Sequence, residues 1–295
     1  MCESASDMGQ TAHFGDLPQE YSALANARVV IIPVPFDGTS TWLKGADKGP
    51  SAIIEASAHM ELYDIETDSE VYKWGIFTAP PVDGQELPED MVEMVAKQVR
   101  QYRRDNKFVV VLGGEHSVSL GTVREHVVNN TDMTVLQLDA HSDLRDEYEG
   151  SKYNHACVMA RISELCPIVQ VGIRSMDSSE KEALDTSRVI FAREISTNKN
   201  WIENVLSKLS QNVYVTIDLD VFDPSIMPST GTPEPGGLLW YDVLELVRTV
   251  IENRNVVGFD VVELCPDQRN KAPDFLAAKL IYKLLSYKLG SHFAI

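Results

Sequence analysis

Short runs of wholly apolar residues alternate with amphipathic helical segments along most of this 295-residue chain. A strand with one face in water carries an apolar residue at every second position, whereas these runs are apolar throughout, which indicates burial on both faces. Such strands, when they alternate with helices, form a parallel sheet that is covered by helices on both sides. The predicted strands cover residues 27–35, 107–112, 134–138, 168–173, 188–191, 213–217 and 256–262. The predicted helices cover residues 49–62, 88–106, 117–128, 155–165, 178–185, 200–210, 239–253 and 273–289.

The chain divides into a short polar segment and one long α/β region. Residues 1–27 are polar and only lightly periodic, so we expect an N-terminal arm that lies on the surface or on a neighbouring subunit. Residues 28–295 contain neither an internal repeat nor a low-complexity linker, and we predict that they form a single domain.

The charge balance restricts the partners of the chain. With 44 acidic and 26 basic residues the formal net charge is −18. Nucleic acid and anionic membranes need a cationic surface, so we expect neither as a partner, and a cationic small molecule suits the charge better. Four scattered cysteines without a CxxC pair, no apolar N-terminal signal and no membrane-length apolar run predict a cytoplasmic protein.

Residues that can bind metal follow several of the predicted strands. Asp139, His141 and Asp143 alternate after the strand at 134–138, so an extended backbone places their side chains on one face. The strand at 213–217 leads into a second pair of this spacing, Asp218 and Asp220. The strand at 107–112 leads into Gly-Gly-Glu and then His116, and the strand at 256–262 leads into Glu263. Because ligands of parallel sheets bind at the carboxyl ends of the strands, these residues are expected to converge.

Counting charges predicts how many metal ions this group would need. Four aspartates carry four negative charges, while His116 and His141 are neutral ligands, so two divalent ions balance the site. Carboxylate and imidazole ligands without thiolate suit Mn²⁺ better than Zn²⁺ or Mg²⁺, and Fe²⁺, Co²⁺ and Ni²⁺ remain alternatives. A single Asp-x-Asp pair is more often a cap or a turn than a ligand pair, but six ligand-type residues at three strand ends favour a site with two metals.

Other polar residues allow two interpretations. His155 stands at the start of a predicted helix, where it is either a capping residue or a proton carrier in the cleft. Glu263 remains once the metal charges are balanced, so it is a candidate for holding a cationic substrate. Asp223, before a proline, is expected to shape a turn. The remaining residues are expected to lie on the surface or to pack in the core: His13, His59, His126 and His292 on the surface, and Cys157 in the core.

The motifs that carry these residues closely resemble those of the arginase/agmatinase (ureohydrolase) family. They are GGEHS at 113–117, DAHSDLRDEYEG at 139–150, TIDLDVFDPSIMPSTGTPEPGGL at 216–238 and GFDVVEL at 258–264. The resemblance implies a three-layer α/β/α fold with a mostly parallel sheet of about eight strands. It also implies hydrolysis of a guanidino group to urea and an amine with two Mn²⁺ ions, and a homo-oligomer (trimer or hexamer). The metal ligands that it implies are His116, Asp139, His141, Asp143, Asp218 and Asp220.

The same resemblance implies how the reaction proceeds. A hydroxide that bridges the two metals attacks the guanidinium carbon while Glu263 holds the guanidinium nitrogens. His155 corresponds to the active-site histidine of the family, and either Asp143 or His155 protonates the departing amine. Residues 28–295 are then the catalytic domain.

The substrate is predicted from the segment that follows the last aspartate of the Asp-x-His-x-Asp motif. Arginases carry an asparagine there, whereas this chain has Arg145 followed by acidic residues, and the segment looks like agmatinases. We therefore predict hydrolysis of agmatine to putrescine and urea. Arg145 is a candidate substrate-binding residue, and it would face a substrate carboxylate if it pointed into the cleft. Arginine, guanidinobutyrate and formiminoglutamate remain alternative substrates, and a non-catalytic family member is a further alternative.

Overall fold

The structure, a computed structural model, describes residues 13–290 and is built on one sheet of eight parallel strands. The strands are β1 (Val29–Val34), β2 (Ile76–Thr78), β3 (Phe108–Gly113), β4 (Met133–Leu138), β5 (Ile168–Ile173), β6 (Val189–Phe191), β7 (Asn212–Asp218) and β8 (Asn255–Val262). The α-helices are α1 (Gln19–Ser22), α2 (Gly49–Ser57), α3 (Pro88–Arg104), α4 (Val118–Val127), α5 (Val158–Ser163), α6 (Ala192–Ile195), α7 (Trp201–Lys208), α8 (Trp240–Asn253) and α9 (Ala272–Leu289). Short 3₁₀ helices cover Phe14–Asp16, Ala46–Lys48, Val71–Trp74, His155–Cys157, Ser178–Glu182, Thr186–Arg188 and Leu219–Val221.

Two hydrophobic cores lie on opposite faces of this sheet. Successive strand residues alternate between the cores, so that Ile31 packs into one and Ile32 into the other. Helices α2, α7, α8 and α9 complete the first core, and α3, α4 and α5 complete the second. This arrangement confirms the predicted three-layer α/β/α fold, and it explains why the strands are apolar at consecutive positions.

Two predicted helices differ from the observed elements, and some short elements were not predicted. Strand β2 is one of these, because the three residues Ile76–Thr78 are too few to show a pattern. The helix predicted at 178–185 is instead a 3₁₀ turn over Ser178–Glu182, which begins at a capping box formed by Asp177 and Glu180. The helix predicted at 155–165 begins as a 3₁₀ turn and becomes α-helical only at Val158.

His126 is fully buried, so its predicted surface position was wrong. Helix α4 packs against both α3 and the sheet, and His126 is on its sheet-facing side, next to Gly258 of β8. The ring packs against Tyr214 at 5.0 Å between centroids, and its Nδ1 lies 2.9 Å from the carbonyl oxygen of Thr122. Burial lowers the pKa of His126 to about 3. Cys157 is fully buried, as predicted for a packing residue.

The strand order β2-β1-β3-β8-β7-β4-β5-β6 determines where a site can form. Strands β3 and β4 follow each other in the chain, but β8 and β7 lie between them in the sheet. A reversal of strand order of this kind opens a crevice at the carboxyl ends of the strands, where α/β proteins bind their ligands.

The first described residues pack against the body of the chain. Phe14 is fully buried in the first core, and its backbone N–H donates to Thr78 Oγ1 at 2.9 Å. Residues 1–12 of the predicted arm, and His292, lie outside the described residues. Between residues 13 and 290, no helix is both long enough and apolar enough to cross a lipid bilayer.

Candidate metal centre and active-site cavity

The candidate site lies at the carboxyl ends of four adjacent strands. His116 follows β3, Asp139 follows β4, Asp218 ends β7 and Glu263 follows β8. Because the sheet order is β3-β8-β7-β4, these four strand ends lie side by side. Residues that are up to 147 positions apart in the sequence therefore share one cavity.

A close contact between two loops explains the glycine pair before His116. A Cβ atom on Gly114 would lie 2.0 Å from the backbone oxygen of Phe36, so only glycine leaves room for this contact. The N–H of Glu115 donates to the same Phe36 oxygen at 2.9 Å. The end of β3 is thereby fixed against the loop that follows β1.

Two groups of candidate ligand atoms share one carboxylate. His116, Asp139 and Asp218 form the first group, and Asp139, His141 and Asp220 form the second. Within each group the ligand atoms lie within 4.8 Å of one another. Two groups that share a carboxylate suit a site for two metal ions, in agreement with the number obtained from charge counting.

The surroundings of His116 fit a bound cation. Its Nε2 lies 2.9 Å from Thr216 Oγ1, and that hydroxyl donates to the buried carboxylate of Asp260 at 2.6 Å. Since the hydroxyl proton is directed at Asp260, Thr216 accepts from Nε2–H, and Nδ1 of the neutral ring keeps its lone pair. This Nδ1 is buried without a hydrogen-bond partner and lies 3.1–3.4 Å from oxygens of Asp139, Asp143 and Asp218. A lone pair that faces three carboxylates fits a site for a cation between them.

Further hydrogen bonds orient the candidate ligands. The buried amide of Gln137 donates to Asp139 Oδ2 at 2.7 Å, and the N–H of His141 donates to Asp139 Oδ1 at 2.6 Å. The N–H of Ala140 donates to Asp220 Oδ1 at 3.0 Å. Partners of this kind hold metal ligands in one rotamer and are as important for affinity as the ligand types themselves.

The pKa values show how strongly the carboxylates interact. Burial, together with the charge of Asp139, raises the pKa of Asp143 to about 7. Burial and the charge of Asp220 raise the pKa of Asp218 well above its usual value. Burial lowers the pKa of His141, but the charges and hydrogen bonds of Asp220 and Asp139 together outweigh it, and the net pKa is about 12. Since metal ligands must be deprotonated, protons and divalent cations compete for this site.

Two residues of the site have a left-handed backbone conformation that side chains other than glycine rarely adopt. Asp143 has φ = 52° and Glu263 has φ = 67°. Such a conformation costs roughly 1–3 kcal/mol at a non-glycine residue and persists where the surroundings enforce it. Here the N–H of Glu263 donates to the oxygen of Gly114 at 2.7 Å, and the oxygen of Asp143 accepts the N–H groups of Met159 and Ala160 at 3.0 and 3.2 Å.

His155 and Glu263 line the same cavity, which has a volume of about 190 Å³. Burial lowers the pKa of His155 to about 4, so its ring is neutral at pH 7. The carboxylate of Glu263 is 8% exposed and accepts the N–H of His116 at 2.8 Å. Burial and the charge of Glu115 raise the pKa of Glu263 well above its usual value.

Arg145 lines this cavity, but two carboxylates already balance its charge. Its guanidinium nitrogens lie 3.8 Å from Asp177 Oδ2 and 3.7 Å from Glu180 Oε1. The guanidinium also lies over the ring of Tyr148, 4.3 Å from its centroid. Of the lysines and arginines between residues 13 and 290, Arg145 is the one that lines the cavity.

Several polar residues of the site were not identified from the sequence. Arg174, just after β5, donates to the backbone oxygens of Asp220 at 2.6 Å and Glu234 at 2.8 Å, and so holds the loop between them. The supporting residues Thr216 and Asp260 were also missed. Asp260 stands inside an otherwise apolar strand, and that position was the sequence signal that could have revealed it.

The chain is similar to known proteins over nearly its whole length. The family model described as the Arginase family matches residues 27–286. An N(1)-aminopropylagmatine ureohydrolase of Synechocystis is 40% identical over 277 residues, which cover 90% of each chain. An agmatinase of Pyrococcus horikoshii is 34% identical over 265 residues, which cover 89% of this chain and 92% of that protein. The crystal structure of the agmatine ureohydrolase of Thermoplasma volcanium is 32% identical, covers 97% of both chains and has a TM-score of 0.87.

Proposed function

This chain belongs to the arginase family and is a hydrolase of linear amidine C–N bonds, and we propose that it converts an agmatine-type amine to urea and the corresponding polyamine. The observation that supports this substrate class is the charge of the cavity. Carboxylates of the metal centre and Glu263 line it, while the charge of Arg145, the one lysine or arginine that lines it among residues 13–290, is balanced. A substrate with positive charges at both ends suits such a cavity, and a substrate carboxylate does not.

The six candidate ligands would hold two divalent ions, and we propose Mn²⁺. They are His116, Asp139, His141, Asp143, Asp218 and Asp220. Four carboxylates and two imidazoles form a mostly hard ligand set, as Mn²⁺ prefers. When bound, the ions supply a nucleophilic water at neutral pH and positive charge near the reacting carbon.

Glu263 and His155 have complementary roles in this proposal. Glu263 accepts hydrogen bonds from the guanidinium nitrogens, and the nearby positive charge favours its ionised form. The carbon–nitrogen bond to the aliphatic chain breaks as oxygen adds to the guanidinium carbon, and the leaving nitrogen takes up a proton. His155, neutral in the free enzyme, takes up the proton that the attacking water gives up and returns it to that nitrogen. Asp143 is the second candidate for this proton transfer.

Two agmatine-type substrates remain, agmatine and its longer N(1)-aminopropyl derivative. Similarity favours the longer one, because relatives at 37–40% identity are named N(1)-aminopropylagmatine ureohydrolases, and relatives named agmatinase are at 34% or less. A further carboxylate is available for a second ammonium group. The side chain of Glu234 is 36% exposed and lies 3.9 Å from Nε2 of His141, which lines the cavity.

A substrate panel tests this proposal. Purified protein loaded with Mn²⁺ is incubated with agmatine, N(1)-aminopropylagmatine, arginine and 4-guanidinobutyrate, and urea is measured. We expect kcat/KM for one or both agmatine-type amines to exceed that for the two carboxylates by at least about 100-fold, equivalent to about 2.7 kcal/mol. Equal or greater activity on arginine or guanidinobutyrate would contradict the substrate class. Absence of urea from every compound would contradict the proposed function.

A further inference from the structure

Thr39 connects the candidate catalytic histidine to a buried carboxylate. It lies in the loop after β1, next to residues 40–43 of the cavity wall. Its hydroxyl oxygen lies 3.1 Å from Nδ1 of His155 and 2.8 Å from Oε1 of Glu115, and it also accepts the backbone N–H of His155 at 2.9 Å. Glu115 is fully buried.

The hydroxyl of Thr39 has one proton and two lone pairs, and its partners determine where the proton lies. Glu115 also accepts two hydrogen bonds from Ser117, one from the backbone N–H at 2.7 Å and one from the hydroxyl at 2.9 Å. Ser117 thus donates to both oxygens of Glu115, one to Oε2 and one to Oε1, which suits a carboxylate that only accepts. The Thr39 hydroxyl therefore donates its hydrogen bond to Glu115, and its two lone pairs are left to accept from His155. One accepts the backbone N–H, and the other accepts from Nδ1.

We propose that Thr39, held by Glu115, is a positioning residue that fixes His155 as the tautomer with a proton on Nδ1 and a lone pair on Nε2. This inference rests on the proposed function, in which His155 transfers a proton. Nε2 is then the only ring nitrogen that can accept that proton, and Nδ1 is committed to Thr39. Without the threonine hydroxyl, the neutral ring would distribute between two tautomers, and one of them has no lone pair at Nε2.

A second threonine in the same site has the same relation to another histidine, but with the opposite ring nitrogen. Thr216 donates to Asp260 and accepts from Nε2–H of His116, which leaves the lone pair on Nδ1. In both cases the threonine hydroxyl donates a hydrogen bond to a buried carboxylate. Its oxygen can then only accept from the imidazole, so the facing ring nitrogen must carry a proton. The two arrangements assign different tautomers to the two histidines, so the proposal predicts a measurable difference between the rings.

The tautomers can be measured by ¹⁵N NMR of the imidazole nitrogens. We would use the full chain with ¹⁵N-labelled histidine, loaded with Mg²⁺, which does not broaden the signals as Mn²⁺ does. His155 is assigned by comparison with the variant His155→Gln. We expect a proton on Nδ1 of His155 in the wild type and in Thr39→Ser, which keeps the hydroxyl, and a mixture of tautomers in Thr39→Val. A proton on Nε2 of His155 in the wild type would overturn the proposal.

Kinetics with Mn²⁺ provide the second measurement. For the best substrate of the panel, we expect Thr39→Val to lower kcat by about 10- to 100-fold with KM within about twofold. The ring of His155 stays in place in this variant, but part of the population carries its proton on Nε2 and cannot accept one there. Thr39→Ser should keep kcat within about threefold of the wild type. Thr249→Val, at a half-buried position of α8 outside the cavity lining, should leave kcat unchanged. An unchanged kcat in Thr39→Val would overturn the proposal. If the wild type released no urea, the proposed function would fail, and the NMR result would still decide the tautomer.

Discussion

Replacing Thr216 by valine tests how the buried residues behind His116 control metal binding. The two side chains have nearly the same shape, and Thr216 is fully buried, so the change removes a hydroxyl and leaves the packing intact. The variant loses the contact with His116 Nε2 at 2.9 Å and the hydrogen bond to Asp260 at 2.6 Å. The imidazole of His116 is then free to rotate or to change its tautomer.

The expected size of the effect follows from these two contacts. Loss of the partner that orients a metal-binding histidine weakens metal binding by about 10- to 100-fold, or about 1.4–2.7 kcal/mol. Asp260 keeps the hydrogen bond from Tyr214 at 2.7 Å but loses the one from Thr216, which destabilises the fold by about 1–3 kcal/mol. We therefore expect two separate losses, one in metal affinity and one in stability.

The assay is a calorimetric Mn²⁺ titration together with unfolding by urea in the presence of EDTA. Thr134→Val is the matched control, because Thr134 is also fully buried in an interior strand and its hydroxyl pairs with Ser210 at 2.6 Å, at the amino end of β4 and away from the site. We expect both variants to lose stability and only Thr216→Val to lose metal affinity.

One result would refute the reasoning. If Thr216→Val lost stability as Thr134→Val does but bound Mn²⁺ with the affinity of the wild type, then Thr216 would not orient His116 for metal binding. A recovery of urea release at high Mn²⁺ concentration, in contrast, would support a loss in affinity alone.

Two further predictions concern other positions. Glu263→Gln removes the negative charge from the guanidinium contacts, so KM for the best guanidino substrate should rise roughly 10- to 100-fold with the bound metal unchanged, and an unchanged KM would exclude Glu263 from substrate binding. His126 has a folded pKa of about 3, below its usual value, so the unfolded chain binds the proton first as the pH falls. The neutral ring therefore makes its full contribution to the free energy of unfolding above about pH 6.5. This contribution falls by about 1.4 kcal/mol per pH unit as the pH is lowered towards the folded pKa. Unfolding free energies in EDTA should show this slope in the wild type and in the exposed control His59→Gln, and an equal slope in His126→Leu would contradict it.

The fold was largely predictable because its strands are buried on both faces and are therefore apolar at consecutive positions. Seven of the eight strands are apolar runs that the sequence shows directly, and their alternation with helices predicted the parallel sheet. Strand β2 and the 3₁₀ turns near Glu180 were not predictable, because short elements are determined by tertiary contacts and capping more than by periodicity. The burial of His126 depends on its packing against Tyr214 of β7 and Gly258 of β8, which the sequence of α4 does not encode.

The candidate ligands were predictable because they follow strands at fixed spacing, whereas their supporting residues come from distant segments. Asp139, His141 and Asp143 stand within five residues of each other, so their spacing was informative. The pairing of Thr39 with His155 spans 116 residues and depends on how two loops fold. The left-handed conformation of Asp143 was equally invisible, since aspartate is common in many conformations.

The order of the strands has a consequence for biosynthesis and assembly. Strand β8 is made last, yet it lies between β3 and β7 and joins the β2-β1-β3 half of the sheet to the β7-β4-β5-β6 half. His116 belongs to the first half, and its five partner ligands belong to the second. Until the C-terminal strand inserts, a growing chain can hold two partial sheets but cannot bring the six ligands together. Bound metal would then connect the two halves on either side of β8, so metal loading should follow insertion of this strand and slow the separation of the halves during unfolding.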